Sequence, residues 1–189
     1  FTDHIRDAGG ACYVVDRKVS AIYPDLVSRL PDGKVILFDA VEGNKTIQSA
    51  ENLYAELISR SFKRNGTLVS IGGGITQDVT GFVASTLYRG VDWIFVPTTL
   101  LAQADSCIGA KTSINFRQYK NLVGTFYPPN KIYVDAGFAK TLSRLDFFSG
   151  IGEIIKLKLL DIAGPGELEK IIAAFSSPDS LAKDNHRLL

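Results

Sequence analysis

The sequence predicts an α/β protein: a parallel sheet with helices on both faces, followed by the beginning of an all-α segment. Three observations carry this prediction. Short β-branched or aromatic runs alternate with helix-period stretches, the pattern of βαβ units. One of those runs, 67–71, ends on Gly72-Gly73-Gly74 and passes directly into a helical period, an order that can offer a helix N-terminus to an anion. Beyond residue 138 only helical periods remain. A boundary is therefore expected at 140–145, dividing the chain into 1–143 and 144–189.

Taken in order, residues 11–15 (ACYVV) and 34–38 (KVILF) are apolar runs followed by turn residues, hence strands. Residues 46–62 carry Ile47, Ala50, Leu53, Tyr54, Leu57 and Ile58 at helical spacing, with Asn44 as the expected cap. Asn65-Gly66 marks a turn before the strand 67–71. The period then becomes helical over 75–88, extended over 92–97 and again over 131–134. Helices are expected at 146–160 and 165–175.

Bulk composition narrows the function. The chain has 189 residues, 46% of them hydrophobic and 22% charged, so it can bury a core. A formal net charge of +1, with both signs interspersed, gives no footprint for nucleic acid or a membrane surface. No apolar run approaches the roughly 20 residues of a spanning helix, and no secretory signal pattern opens the chain. Two cysteines, Cys12 and Cys107, are too few for a disulfide scaffold, so a reducing, cytoplasmic setting is expected. With no Met even at position 1, and an end partway through a helical period, the chain reads as a fragment of a longer protein.

Two stretches carry chemistry. Gly72-Gly73-Gly74 precedes Ile75-Thr76-Gln77-Asp78 and departs from the G-x-G-x-x-G fingerprint. It fits a phosphate-facing loop, or a tight turn in which Asp78 complements the helix dipole. Residues 100–121 place Asp105, Lys111, Lys120 and Asn121 among Gly, Ser and Thr. Such a group is poor core material, because buried charge is costly unless paired. It suits a small, anionic, polyhydroxylated ligand. Thr98 and Thr99 stand at the carboxyl end of a strand, where open α/β sheets bind ligands, and they also suit helix capping. Glu153 and Lys156 share one side of a helix, as site residues or as an i,i+3 ion pair. Cys107 has no histidine in a partnering context and reads as a small buried thiol.

Five segments, GGGITQDVTGF, the Tyr88-Arg89-Gly90 step, VPTTLLAQADSCIGAK, KNLVGTFYPP and GIGEIIK, resemble in order and spacing the 3-dehydroquinate synthases and their sugar-phosphate cyclase relatives. The resemblance runs from residue 72 to 156 and is weaker before that. It implies a Rossmann-like NAD-binding domain followed by an all-helical domain, with the active site between them. It also implies a homodimer acting on a small sugar phosphate. Carried over by motif, Gly73, Gly74 and Asp78 would lie at the pyrophosphate and ribose of NAD, and Thr98, Thr99, Asp105 and Ser106 at its nicotinamide side. Glu42 and Lys45 would hold the adenosine ribose and Asp16 the adenine, with Thr141 also at the cofactor. Lys111, Lys120, Asn121 and Lys156 would bind substrate, Lys120 close to the cofactor as well. Arg89 would reach a neighbouring subunit's substrate phosphate. Glu153 would join two histidines on a catalytic Zn2+ or Co2+ ion.

That chemistry, hydride transfer with NAD, phosphate elimination and intramolecular aldol closure, suits these residue types. A zinc site of this kind needs three protein ligands, and the chain offers Glu153 alone. His4 and His186 stand in unsuitable contexts, so the remaining ligands are expected beyond Leu189 and the fragment alone is expected to be inactive. Two departures mark divergence. Ala110 replaces the second glycine of the family's G-G-K, and Leu157-Lys158 replaces its usual Tyr-Gly. The leading expectation is a 3-dehydroquinate synthase. Rival readings are an inosose or valiolone cyclase, a metal-dependent polyol dehydrogenase, and a nucleotide-binding relative that has lost catalysis.

Overall fold

The chain is described by a computed structural model over residues 10–160 and at Glu169. His4, His186 and, Glu169 apart, the helix expected at 165–175 lie outside the described residues. Five parallel strands, β1 (Cys12–Asp16), β2 (Val35–Phe38), β3 (Thr67–Gly72), β4 (Asp92–Pro97) and β7 (Lys131–Ile132), form one sheet in the order β2-β1-β3-β4-β7. The expected parallel α/β architecture is therefore present. The strand expected at 131–134 is only two residues long.

The alternation of side chains along a strand divides the core cleanly. On one face Cys12, Val14, Leu68, Trp93 and Phe95 pack under α3 (Ile47–Ser59) and α4 (Gly74–Thr86), through Ala50, Leu53, Leu57, Val79, Phe82 and Val83. On the other, Tyr13, Val15, Val69, Ile71, Ile94 and Val96 meet Val19 of α1 (Arg17–Ile22), Leu26 and Val27 of α2 (Pro24–Ser28), and Phe138 of the 3-10 turn Ala136–Thr141. Helices cover both faces as expected, because β1, β3 and β4 are mostly apolar, buried almost throughout, and need cover on each side. The cap of α3 is Thr46 rather than Asn44. Thr46 Oγ1 accepts from the Ser49 amide at 3.2 Å, whereas Asn44 Nδ2 donates to the Asp39 carbonyl.

The strand order sets the location of a site. From β1 the chain first moves outward to β2 and then returns to the other side of β1 for β3. The carboxyl ends of β1 and β3, Asp16 and Gly72, therefore flank the topological switch point, where the crevice of an open α/β sheet forms.

One element was not legible in the sequence. Residues 111–126 form an antiparallel hairpin of β5 (Lys111–Phe116) and β6 (Tyr119–Phe126), separate from the main sheet. Its register places Thr112 opposite Thr125 and Ile114 opposite Val123. Only Thr112 and Ile114 are buried, and β6 is exposed almost throughout, so the run lacks the apolar alternation by which strands are read.

The helix α5 (Arg144–Leu160) begins the last described segment. Phe147 is fully buried and Ile151 nearly so, both against Leu100. Burying a side chain of this size contributes about 2–3 kcal/mol. The helix approaches so closely at Gly150 that a Cβ there would lie 2.6 Å from Leu100 Cβ and 2.8 Å from the Leu101 backbone nitrogen. Gly150→Ala should therefore lower stability by about 2 kcal/mol through overpacking, read as a lower denaturant midpoint with unchanged slope. A midpoint equal to that of the parent would show that α5 is not seated on residues 100–101.

Candidate active site

The site is built around the amino end of α4. Gly73 is the N-cap, in an extended conformation (φ −87°, ψ −168°), and it makes no side-chain capping bond. The first-turn amides of α4 thus keep their donors free of a side-chain cap and point, with the helix's positive end, into the switch-point crevice. None of the three glycines has positive φ, so the triplet is not selected for a left-handed turn. Close approach is the reason at Gly73, where a Cβ would meet Thr99 Cγ2 at 2.9 Å. Over Gly74 the nearest atom to such a Cβ is Ser106 Oγ at 3.9 Å, leaving room above the helix end. This geometry fits a dinucleotide's pyrophosphate.

Asp78 lies beyond the first helical turn and is not a dipole complement. Its Oδ2 pairs with Lys45 Nζ at 2.5 Å, and its Oδ1 accepts from the Ser113 amide at 2.8 Å. Lys45 is 6% exposed, and its ammonium also donates to Asn121 Oδ1 at 2.5 Å. Burial raises the Asp78 pKa, opposed by Lys45 and Ser113. Glu42 is joined to the same assembly. Its Oε1 accepts from Asn115 Nδ2 at 2.9 Å and lies 3.5 Å from Lys120 Nζ. The Asn115 hydrogen bond is the main cause of its lowered pKa, with Lys120 and Lys45 adding to it. Five of the expected residues, Glu42, Lys45, Asp78, Lys120 and Asn121, therefore meet in one network contributed by three separate segments.

A second group sits on the loop after β4. Thr99 Oγ1 accepts from the Ala102 amide at 3.2 Å, so the capping role is real for Thr99, while Thr98 is 5% exposed. Residues Ala102–Ser106 form a π-helical turn, a local widening found often at functional positions. Ser106 and Gln77 bind reciprocally: Ser106 Oγ donates to Gln77 Oε1, and Gln77 Nε2 to the Ser106 carbonyl, each at 2.6 Å. This pins the turn against α4. Asp105 in the turn is near enough to Lys156 to help raise that ammonium's pKa, a shift owed mainly to the hydrogen bond with Glu153. Glu153 and Lys156 form the i,i+3 ion pair.

The other expected residues stand apart from the network. Asp16 caps α1, accepting from the Lys18 amide at 2.9 Å, and burial raises its pKa. Thr141 shares a 2.6 Å hydrogen bond with Tyr23 Oη. Lys111 opens β5, is exposed, and makes no ion pair among the described residues. Arg89 is at the far end of α4, separated from Gly73 by 13 helical residues, about 20 Å. It lies in a left-handed turn with Tyr88 and Gly90, at φ 68°, 53° and 116°, and so does not join the other cationic groups of its own chain. Ala110, in the position of a family glycine, has φ 55°, a conformation that disfavours an L side chain by about 1 kcal/mol.

Among the described residues no three His, Cys, Asp or Glu side chains are placed to hold a metal ion. Glu153 is a single potential donor and does not make a metal centre by itself. Sequence reasoning missed Ser113, Asn115 and Gln77. For the first two a signal existed: Lys111, Ser113 and Asn115 fall at i, i+2 and i+4, one face of a strand.

Removing the Asp78 carboxylate leaves the Lys45 ammonium buried without its counter-charge. Asp78→Ala should cost about 3 kcal/mol, measured by urea unfolding. A loss below about 1 kcal/mol would mean that the pair is not an anchor of the fold.

Comparison with known proteins identifies the family and the fold. The sequence signature of the 3-dehydroquinate synthase N-terminal family matches residues 35–149. A 3-dehydroquinate synthase of Clostridium tetani is 41% identical over 150 residues, 78% of this chain and 40% of that protein. The chain thus spans about two fifths of that relative's length. The fold matches 2-epi-5-epi-valiolone synthase from Streptomyces hygroscopicus subsp. jinggangensis, determined with NAD+ and Zn2+ bound, at TM-score 0.76 and 27% identity, covering 95% of this chain and 54% of that one. A 2-deoxy-scyllo-inosose synthase complexed with carbaglucose-6-phosphate, NAD+ and Co2+ matches at TM-score 0.71 and 25% identity, over 94% of this chain and 53% of that one.

Proposed function

Since the chain belongs to the 3-dehydroquinate synthase family, we propose that it is the cofactor-binding part of a 3-dehydroquinate synthase. The whole protein would be a phosphate-eliminating lyase that converts the seven-carbon sugar acid phosphate of the shikimate pathway into a carbocycle. The reading rests above all on one observation: Lys45 and Asn121 are in direct contact beside the amino end of α4, joining the nucleotide side of the crevice to the expected substrate residues. The 41% identity to a 3-dehydroquinate synthase, against 27% and 25% for the two other cyclases, favours this substrate over an inosose or valiolone precursor.

In this reading the amides at Gly73 and Gly74 hold the NAD pyrophosphate, with Glu42 and Asp78 toward its ribose hydroxyls and Asp16 toward the adenine. Thr98, Thr99, Asp105, Ser106 and Thr141 surround the remainder. When bound, NAD would supply hydride-accepting and hydride-donating chemistry at one substrate carbon. Lys111, Lys120 and Lys156 balance carboxylate and phosphate charge. Their ammonium groups favour departure of the phosphate by stabilising its developing negative charge. Asn121 orients a substrate oxygen.

Glu153 would contribute one donor to a zinc or cobalt ion. Its other donors would lie outside the described residues, the chain spanning about two fifths of the relative's length. Arg89, remote from its own crevice, would serve a partner's site in a homodimer. Two free, buried cysteines and the absence of a membrane-length apolar helix among the described residues accord with a cytoplasmic enzyme.

The direct test is incubation of the full-length protein with NAD, a divalent metal and the seven-carbon substrate. Equimolar dehydroquinate and phosphate are expected. Turnover of a hexose or heptulose phosphate in place of that substrate would establish one of the other cyclases instead. In the same protein, Lys111→Ala should lower kcat/KM at least a hundredfold and leave NAD affinity within about twofold, an isolated exposed ammonium having no part in holding the nucleotide. Equal loss of NAD binding would put Lys111 in the wrong pocket.

A further inference from the structure

The hairpin carries two polar side chains that the family reading does not use, Ser113 and Asn115. Both converge on Asn121. The Asn121 side-chain oxygen receives Lys45 Nζ at 2.5 Å and Ser113 Oγ at 3.1 Å. An ammonium only donates, so the group facing Lys45 must be the amide oxygen, and the orientation of the Asn121 amide is determined by chemistry. Asn121 is exposed, and its Nδ2 has no partner among the described residues. The backbone is held as firmly. Asn121 has φ 55°, and its N–H donates to Asn115 Oδ1 at 2.9 Å. Asn115 in turn donates from Nδ2 to Glu42 Oε1 at 2.9 Å and from its backbone amide to the Lys45 carbonyl at 2.7 Å. Its hydrogen bonds thus join the 42–45 loop to the hairpin.

We propose that Ser113 and Asn115 are positioning residues that lock Asn121 with its oxygen inward and its NH2 outward, so that Asn121 acts on the substrate only as a hydrogen-bond donor. The substrate atom it contacts is then an acceptor: a carboxylate, carbonyl, phosphate or hydroxyl oxygen using a lone pair. This rests on the proposed function for the identity of the substrate, but the locking itself does not. Left-handed backbone at a non-glycine residue persists only where its surroundings hold it, and here the Asn115 oxygen does so. Ser113 is the adjustable part, because its uncharged hydroxyl has a single proton to donate, to Asn121 Oδ1 at 3.1 Å or to Asp78 Oδ1 at 3.3 Å.

The test uses the full-length protein in three variants. Ser113→Ala should raise substrate KM about threefold to tenfold, the effect of one neutral hydrogen bond, with NAD Kd unchanged. Ser113→Thr should restore KM, since it keeps the hydroxyl. Asn121→Asp, which replaces the donor by an acceptor, should raise KM more than a hundredfold. Independently of turnover, the side-chain 15N–1H2 signal of Asn121, assigned by its loss in Asn121→Asp, should move in ligand-free Ser113→Ala and return in Ser113→Thr. An unmoved signal would overturn the proposal whatever the enzyme's substrate, and so would an unchanged KM in Ser113→Ala. Failure of the wild type to turn over the seven-carbon substrate, with the signal moving as expected, would instead overturn the proposed function and leave the locking established.

Discussion

The buried pair of Lys45 and Asp78 is the interaction on which the rest of the site depends. Each charge alone would be costly in this position. Together, with Ser113 and Asn121 meeting the remaining hydrogen-bonding needs, they fasten three separate pieces of chain: the loop before α3, the first half of α4, and the β5–β6 hairpin. Burial pushes Asp78 toward its neutral form, and Lys45 and Ser113 oppose that. Backbone amides of the hairpin dock directly on this pair, Ser113 on Asp78 Oδ1 and Asn115 on the Lys45 carbonyl. The hairpin's apolar footing is only Thr112 and Ile114, far too little to define an orientation by packing alone.

Around this anchor two kinds of polar group are separated in space. Backbone groups dominate at the switch point, where the end of α4 has no side-chain cap and Gly73 approaches Thr99 closely. Side chains dominate on the hairpin, where Lys111, Lys120 and Asn121 project from a two-stranded ribbon. Between them the π-helical turn is clamped to α4 by the reciprocal Gln77–Ser106 bonds. The same turn lies beside α5, so Asp105 and Lys156 are brought within electrostatic reach. Arg89 belongs to the opposite end of α4. Its remoteness from the amino end of that helix follows from helix length alone.

The main sheet was legible because burial on both faces demands mostly apolar runs, and residues 12–15, 67–71 and 92–97 supply them. The helices over 47–59 and 74–86 were legible from their period. The hairpin was not, because its strands satisfy their outward face through Ser113, Asn115 and Asn121 rather than through an apolar layer. The cap of α3 shifted from Asn44 to Thr46 for a related reason: Asn44 found a closer partner in the Asp39 carbonyl, a choice between nearly equal local bonds. At Gly73 in the glycine triplet, steric approach and not positive φ operates.

By itself the sequence determined the layers of this protein and the family motifs within them, because apolar periodicity and motif spacing are properties of the chain read in order. Tertiary structure alone decided which polar groups face each other. Lys45 and Asn121, 76 positions apart, meet only after the strand order has returned β3 beside β1 and the hairpin has folded onto α4. That meeting gives Asn121 its orientation. No local pattern encodes it, because its cause is a hydrogen-bonded network closed across three segments.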